Sequence, residues 1–595
     1  MKIIKEKMTF WGVLIIFIFL NIIQIGQFSL FSHSDEFGYI ANTAFFGGYN
    51  WNPYTGNMTP YYNIGFSIFV SFIFRICKDI VTIYRLLLLY IVFLESILFI
   101  FVYLISNRHL KMNTTQSSII ALMYSMGTMA PQNALYYMSE VPFALNFIMI
   151  IYCILEAHNC KKTYKEKIYV VFSGILTAYS YSVHTRFLII LVTLIVVFFS
   201  YYIIFKETLI DYWLFIVSFI FSFVLVFIWI KEVQGILYMS TIIGRDVTGN
   251  DALTRLTYIP TYIKTFFSFD NCLFFIGNFL SLLTSMSLIT GGLVWIFLIN
   301  GIQAMCLFIK NKEKYVSKYV LTVTSLVSFL GMNILVAMNG VTNVYELKWL
   351  TFIRYCKPFV GLLLIVGMES IYKRTLNKKC ITSSVIAIGI TGITIINYMI
   401  PKMNNACTGH TDISPVGWFQ YYFYKNQSTS EYFYSFFTLM FMCTCIYIYS
   451  IVYKKIKYIV ITFLLISSLL CYSENKFNSN ISMKNYEMCD ATLDYMNKYK
   501  GKINVPIYFM QGTYSGRVRC VLFDTTMEYI LEKEELKKIN YEEAVLLSDN
   551  LNLFKEMKVC PKYCFELDKY EYMYTSNETI KNDMIDYYDL IKGEK

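Results

Sequence analysis

The feature that most limits this chain is a repeated one. A run of apolar residues is followed by a short connector and then by another such run. About 20 apolar residues in a helix cross a hydrocarbon layer about 30 Å thick. Within that layer only helices and closed barrels satisfy their own peptide groups. Runs of this kind lie at 9–29, 84–106, 117–132, 141–157, 168–183, 187–205, 212–230, 283–309, 319–339, 352–372, 381–400, 434–452 and 457–472. The pattern predicts about 13 transmembrane helices. Only 15% of the 595 residues are charged, against about 25% in a soluble domain. That excludes a soluble enzyme, a disordered chain and a fibrous protein. The run 9–29 is too long for a signal-peptide core and lacks a small-residue cleavage site, so it reads as a retained helix.

Charge divides the chain. Residues 1–472 hold 34 bases and 19 acids, a net +15, whereas 473–595 hold 17 bases and 21 acids, a net −4. The expected organisation is a membrane domain, 1–472, and a soluble domain, 473–595. The positive balance does not call for nucleic acid, because most bases sit in short connectors between apolar runs. Lys2/Lys5/Lys7, Arg108/Lys111, Lys161/Lys162/Lys165/Lys167, Lys206, Lys310/Lys312/Lys314, Lys373/Arg374/Lys378/Lys379 and Lys454/Lys455/Lys457 all fall on one side if the runs alternate. Basic connectors face the cytoplasm. The N-terminus is then cytoplasmic, and an odd number of spans puts 473–595 outside the cell membrane. Residues 61–76, YYNIGFSIFVSFIFRI, are apolar but short. As a full span they would invert every later connector, so they read as an amphipathic or re-entrant helix on the outer surface. The large outer loops are then about 30–83, 231–282, 340–351 and 401–433.

The C-terminal region mixes strand-like runs (505–509, 519–523, 544–547) with helix-like runs (484–499, 526–538). That predicts a small α/β or α+β domain. Its cysteines, Cys489, Cys520, Cys560 and Cys564, fix no pairing by spacing, and Cys560-x3-Cys564 without a second pair is a weak zinc signal. No nucleotide-binding loop, HExxH or GxSxG is present.

With so few acids in the membrane domain, each is informative. Asp35 and Glu36 follow the first run directly. Adjacent carboxylates at a membrane edge are costly unless hydrated, paired or used, although either could simply favour a helix N-terminus. Glu140 stands where the chain re-enters the membrane from outside, with Pro142 suited to a first turn. Glu95 lies inside a run and is expected to pair with an Arg or Tyr of a neighbouring helix. On the outer side, where bases should be rare, Arg186 starts a run beside His184, and Arg354 starts another beside Tyr355 and Lys357. They either snorkel to headgroups or clamp a phosphate.

The order of these features resembles the GT-C superfamily of polytopic glycosyltransferases, in the branch of protein O-mannosyltransferases and the bacterial aminoarabinose transferase. One run leads to Asp35-Glu36. Then come Pro60-x4-Gly65-x-Ser67, Ser139-Glu140, Thr185-Arg186 and Arg354-Tyr355. The resemblance covers roughly residues 1–370. Relatives often have Arg before the acidic pair, where this chain has Ser34. Met58-Thr59-Pro60-Tyr61 stands in place of a Lys-Pro-Pro run.

The resemblance implies a GT-C-like helical membrane protein. It implies transfer of a sugar from a polyprenyl-phosphate donor to a polysaccharide, lipid or protein acceptor on the outer face, without nucleic acid. It makes Asp35 the candidate base, with Glu36 and Glu140 as further catalytic acids. Tyr39, Tyr62, His184, Arg186, Arg354, Tyr355 and Lys357 become candidate substrate contacts. Inverting transfer needs a base for the acceptor hydroxyl and cations for the leaving phosphate. A Mg or Mn ion between Asp35 and Glu140 suits carboxylate chemistry but has no supporting ligand spacing. The rival readings are a flippase or transporter, a polymerase or ligase of lipid-linked polysaccharide, and a receptor whose C-terminal region is the active part.

Overall fold

The computed structural model describes residues 2–25, 34–49, 62–237, 259–265, 267–311, 315–342, 350, 352–403, 429–485, 505–510, 527–530, 534–548, 550–554, 560–568, 571–585 and 590–591. Local chemistry sets several helix ends. The Asp79 carboxylate accepts from Val81 N and Thr82 N and starts Ile80–Leu104. A reciprocal pair, Asn113 with Gln116, opens Thr114–Gly127, which satisfies two otherwise orphaned amides. On the basic side, Lys111, Lys162, Lys206, Arg374 and Lys454 all take left-handed φ between 55° and 69°. They turn the chain sharply between consecutive helices.

Among the described residues, nine helices are long and apolar enough to cross a membrane, including Glu140–Asn159, Phe187–Phe205 and Tyr212–Leu237. The other expected crossings are Lys2–Ile22, Thr114–Gly127, Tyr164–Val183, Lys357–Tyr372 and Ile456–Asn485. The chain is a multi-pass helical membrane protein.

One expected span takes a different form. The run 283–309 is divided into Phe269–Ile289 and Leu293–Asn311 by Gly291 and Gly292, at φ +59° and +89°. Side chains are excluded here by space as well as by φ, since a Cβ on Gly292 would lie 2.2 Å from Thr444 Oγ1. The break does not reverse the chain. Tyr398 OH donates to Asn278 Oδ1 (2.9 Å) and Phe274 O (3.2 Å). Gly292 faces Ile388, and Cys380 Sγ donates to Ile296 O. Both pieces therefore run down one neighbour, from 398 to 380, and make a single broken crossing.

The segment after the first outer helix is short and apolar on its exposed as well as its buried side, rather than amphipathic as expected. It forms a 3₁₀ turn, Ser67–Val70, and one α turn, Ile73–Ile76. Phe66, Val70, Ile73 and Phe74 are buried, whereas Ile68, Phe69, Phe72 and Ile76 are exposed.

The C-terminal region forms a six-stranded mixed sheet. Its strands are β1 Ile507–Met510, β2 Met527–Ile530, β3 Val545–Ser548, β4 Tyr563–Asp568, β5 Glu571–Thr575 and β6 Leu590–Ile591. Their order is β2-β1-β3-β5-β4-β6. β1 pairs in parallel with β2 and β3, and the remaining pairs are antiparallel. Alternate residues divide between two cores. Val545, Leu547, Phe565 and Met573 join the apolar cluster that fills the bundle, and Leu546, Cys564 and Tyr574 pack with Leu536, Tyr541 and Phe554.

Three details depart from the sequence-based expectation. The helix-like run 526–538 opens as strand β2 and ends in a short 3₁₀ turn. Hairpin β4–β5 was not foreseen. The last membrane helix continues past 472 to Asn485. The run 519–523, Cys489 and Cys520 lie outside the described residues, and Cys560 and Cys564 are free thiols.

Candidate active site

The helix Ser34–Phe46 carries two functional faces, set by the 100° turn per residue of an α-helix. Asp35, Gly38 and Asn42 form one. Tyr62 lies across it. Tyr62 OH donates to Asp35 Oδ1 at 2.8 Å, and Asn42 Nδ2 donates to Tyr62 O at 3.1 Å. A Cβ on Gly38 would meet the Tyr62 ring at 2.1 Å. Glu36, Tyr39 and Thr43 form the other face and hold the segment that leads to Glu140. Glu36 Oε1 accepts from Tyr84 OH (2.7 Å) and from Tyr137 N (2.8 Å). Tyr39 OH bonds Ser139 Oγ (2.6 Å), and Thr43 Oγ1 bonds Tyr137 OH (2.9 Å). The two neighbouring acids therefore face different partners.

Asp35 looks into a cluster of charges drawn from four separate parts of the chain. Arg354 Nη1 donates to Asp35 Oδ2 at 2.7 Å, and its Nε donates to Glu140 Oε1 at 2.6 Å. Arg186 Nη2 donates to the same Glu140 oxygen at 3.2 Å and lies 2.9 Å from His184 Nε2. The Arg186 guanidinium carbon is 4.8 Å from the Tyr355 ring centre and 5.2 Å from that of Phe143. The two rings hold the guanidinium in place. Arg186 Nε and Nη1 and Glu140 Oε2 are buried with no hydrogen-bond partner among the described residues. Among the described residues, Arg354 Nη2 meets only a weak acceptor, the Met138 sulfur, at 3.0 Å.

Electrostatics follows from burial. Desolvation alone would lower the Arg354 pKa, but the Glu140 and Asp35 carboxylates outweigh it and hold the guanidinium well above its ordinary value. For Arg186 desolvation wins over the Glu140 charge, and its pKa is lowered. Both arginines remain cations at neutral pH.

The cluster opens on a cavity lined by Glu140, Arg354, Lys357, Gln132, Asn133 and Glu95, with apolar walls from Leu98, Val141 and Ala144. Lys357 Nζ donates to Gln132 Oε1. Glu95 pairs with an amide, Asn133 Nδ2 at 3.1 Å, in place of the expected Arg or Tyr.

Of the residues singled out by sequence, Asp35, Tyr62, Glu140, His184, Arg186, Arg354 and Tyr355 form one contiguous network. Lys357 shares the cavity with Glu140 and Arg354, and Tyr39 supports Glu140 through Ser139. Glu36 stands apart. The sequence did not point to Gln132, Asn133 or Met138, which are ordinary residues in a short helix and connector, 130–138. Pro60 lies outside the described residues. Between Asp35 and Glu140 the bridging cation is Arg354, and no group of three or more His, Cys, Asp or Glu among the described residues could hold a metal. The residues present do not fit a Mg or Mn ion there.

All four charged residues sit at the same end of their helices. Glu140 begins Glu140–Asn159, Arg186 precedes Phe187–Phe205, and Arg354 precedes Lys357–Tyr372. The far ends of these three helices carry Lys161, Lys206 and Lys373.

No known family profile matches the sequence, and no curated protein matches it either. Solved structures do. The apo structure of ArnT, an aminoarabinose transferase from Cupriavidus metallidurans, aligns with a TM-score of 0.53 and 8% identity, over 98% of this chain and 99% of that one. An apo oligosaccharyltransferase from Archaeoglobus fulgidus aligns at 0.43 and 11% identity, over 88% and 64% of the two chains. The archaeal oligosaccharyltransferase AglB, in complex with an inhibitory peptide and a dolichol-phosphate, aligns at 0.41 and 12%, over 96% and 75%. At such identities the likeness to ArnT is one of fold, and it runs over nearly the whole length of both chains: this chain has the fold of ArnT.

Proposed function

We propose that the protein is a membrane glycosyltransferase that moves a sugar from a polyprenyl-phosphate donor to an acceptor at the outer face of the membrane. The observation that carries this reading is the convergence of Asp35, Arg354, Glu140 and Arg186 at the helix ends opposite the lysines. By the positive-inside rule the lysine ends are cytoplasmic, which puts the cluster and residues 473–595 outside. The soluble region then stands over the membrane domain, 1–472. The fold shared with ArnT supports a lipid-linked donor.

The reaction is an inverting displacement. Asp35, paired with Arg354, takes the proton of an acceptor hydroxyl as that oxygen attacks the anomeric carbon. The bond from that carbon to the phosphate oxygen breaks, and the polyprenyl phosphate leaves with the electron pair. Arg186 Nε and Nη1 and Arg354 Nη2 supply preorganised donors to the departing phosphate, in a site where low dielectric strengthens them. Glu140 keeps the two guanidinium groups together. Glu36 acts as a positioning residue through the segment 135–139. Apart from Glu95, the ionisable residues of the site gather at one membrane edge, and this favours a transferase over a carrier, which needs its polar site near the midplane.

The test is Asp35→Asn. Transfer from a polyprenyl-phosphate sugar in proteoliposomes should fall at least about 100-fold, as loss of a general base does, with unchanged yield of folded protein. Retained transfer would remove Asp35 as the base.

A further inference from the structure

The cavity beside the charge cluster contains a group that the mechanism above leaves unused. Glu95 sits in the middle of Ile80–Leu104 and is 1% exposed. A carboxylate this deep in a membrane helix is costly unless something compensates it. Its Oε1 accepts from Asn133 Nδ2 (3.1 Å), and its Oε2 is buried with no hydrogen-bond partner among the described residues. Glu95 lines the same cavity as Glu140 and Arg354, together with Thr128, Gln132, Asn133 and Tyr136. A carboxylate, two amides, a hydroxyl and an aromatic ring are the set that a sugar ring complements. Its hydroxyls donate to the carboxylate and amide oxygens, amide N–H groups donate back, and its C–H face packs on the ring.

The cations lining the cavity, Arg354 and Lys357, disfavour an ammonium there, and hydroxyls are the donors left to meet Glu95. The remaining acceptor capacity of Glu95 is then met by O–H donors, each of which would otherwise be water-bound. We infer that this cavity receives the sugar of the lipid-linked donor, and that Glu95 is a specificity-determining residue accepting hydrogen bonds from its hydroxyls. The inference rests on the glycosyltransferase reading and extends it to a named pocket. The bland reading is that Glu95 is a core acid that only ties two helices together through Asn133.

The experiment compares bare polyprenyl phosphate with polyprenyl-phosphate gluco-, galacto- and manno-hexoses. Affinity is measured by calorimetry for the full-length protein in detergent. In the wild type at least one sugar-bearing lipid should bind more tightly than the bare lipid. Glu95→Leu should cut that advantage at least about tenfold, as loss of bonds to a charged acceptor does, and leave the bare lipid unaffected. Glu95→Gln keeps the shape, but its one oxygen stays with Asn133 Nδ2 and an amide N–H stands in place of Oε2, so it should lose most of the same advantage. Leucine fits an apolar helix, and Asn133 keeps its bond to Thr128 O, so E95L should fold; its thermal midpoint is recorded alongside. An advantage unchanged in E95L overturns the inference, even if the midpoint moves. An advantage kept in full by E95Q also overturns it, since the acceptor oxygen assigned to the hydroxyls would then be gone. Failure of bare polyprenyl phosphate to bind the wild type counts instead against the glycosyltransferase reading, and the pocket falls with it.

Discussion

Arg354 and Glu140 are the residues on which the charge cluster depends, and the two carboxylates that Arg354 bridges should respond differently to neutralisation. The Asp35 side chain is 27% exposed, and without its charge Arg354 still has Glu140. Asp35→Asn should therefore cost stability no more than about 1 kcal/mol, the range of a partly exposed pair, while abolishing transfer. Glu140→Gln leaves the buried Arg186 guanidinium without a carboxylate, while Arg354 keeps Asp35, and should cost roughly 3 kcal/mol, since an unpaired buried charge is expensive. Thermal midpoints in detergent, read beside transfer rates, separate the two; equal destabilisation would contradict these assignments. Much of this cluster is legible in the sequence, because ionisable residues at the outer ends of apolar runs are rare and each stands out. The divergence of Glu36 from Asp35 is not. Adjacent helix residues point about 100° apart, and only packing against Tyr84 and Tyr137 decides which of them meets an arginine.

Among the elements, the glycines mark where backbones meet. Gly65 N donates to Ser182 O at 2.8 Å, and a Cβ there would lie 2.8 Å from that same backbone oxygen. This contact docks the short apolar segment on the end of Tyr164–Val183, two residues before His184. Gly65→Ala should therefore weaken transfer as well as stability, and Ser182→Ala should not rescue it, because the clash with the backbone oxygen remains. At the helix break, Gly292→Ala combines a left-handed φ with contact against Thr444 and should lower the thermal midpoint. The strain alone is about 1–2 kcal/mol, so Thr444→Ala should restore only part of the loss; full rescue would show that φ strain is absent. The break itself was invisible to an apolar count, because a glycine pair inside an apolar run leaves the hydropathy unchanged.

For the whole molecule, the reading places the charge cluster and the mixed sheet on the side away from the lysines. Exposed Cys560 should react with a membrane-impermeant maleimide in intact cells. In a variant with every other cysteine replaced, Thr163→Cys, in the lysine-rich connector, should react only after permeabilisation. Reversed labelling would invert the topology. The number of crossings, the side on which bases collect and the candidate acids and arginines follow from composition and spacing, because a bilayer imposes length, polarity and charge rules on each segment separately. The bridging of Asp35 to Glu140 by Arg354, the pairing of Glu95 with Asn133, the strand at 527–530 and the single broken crossing through Gly291 and Gly292 were settled by packing alone. Each depends on which surfaces meet across tens to hundreds of residues of chain, or on neighbours that override local propensity, and no local pattern encodes such a partner.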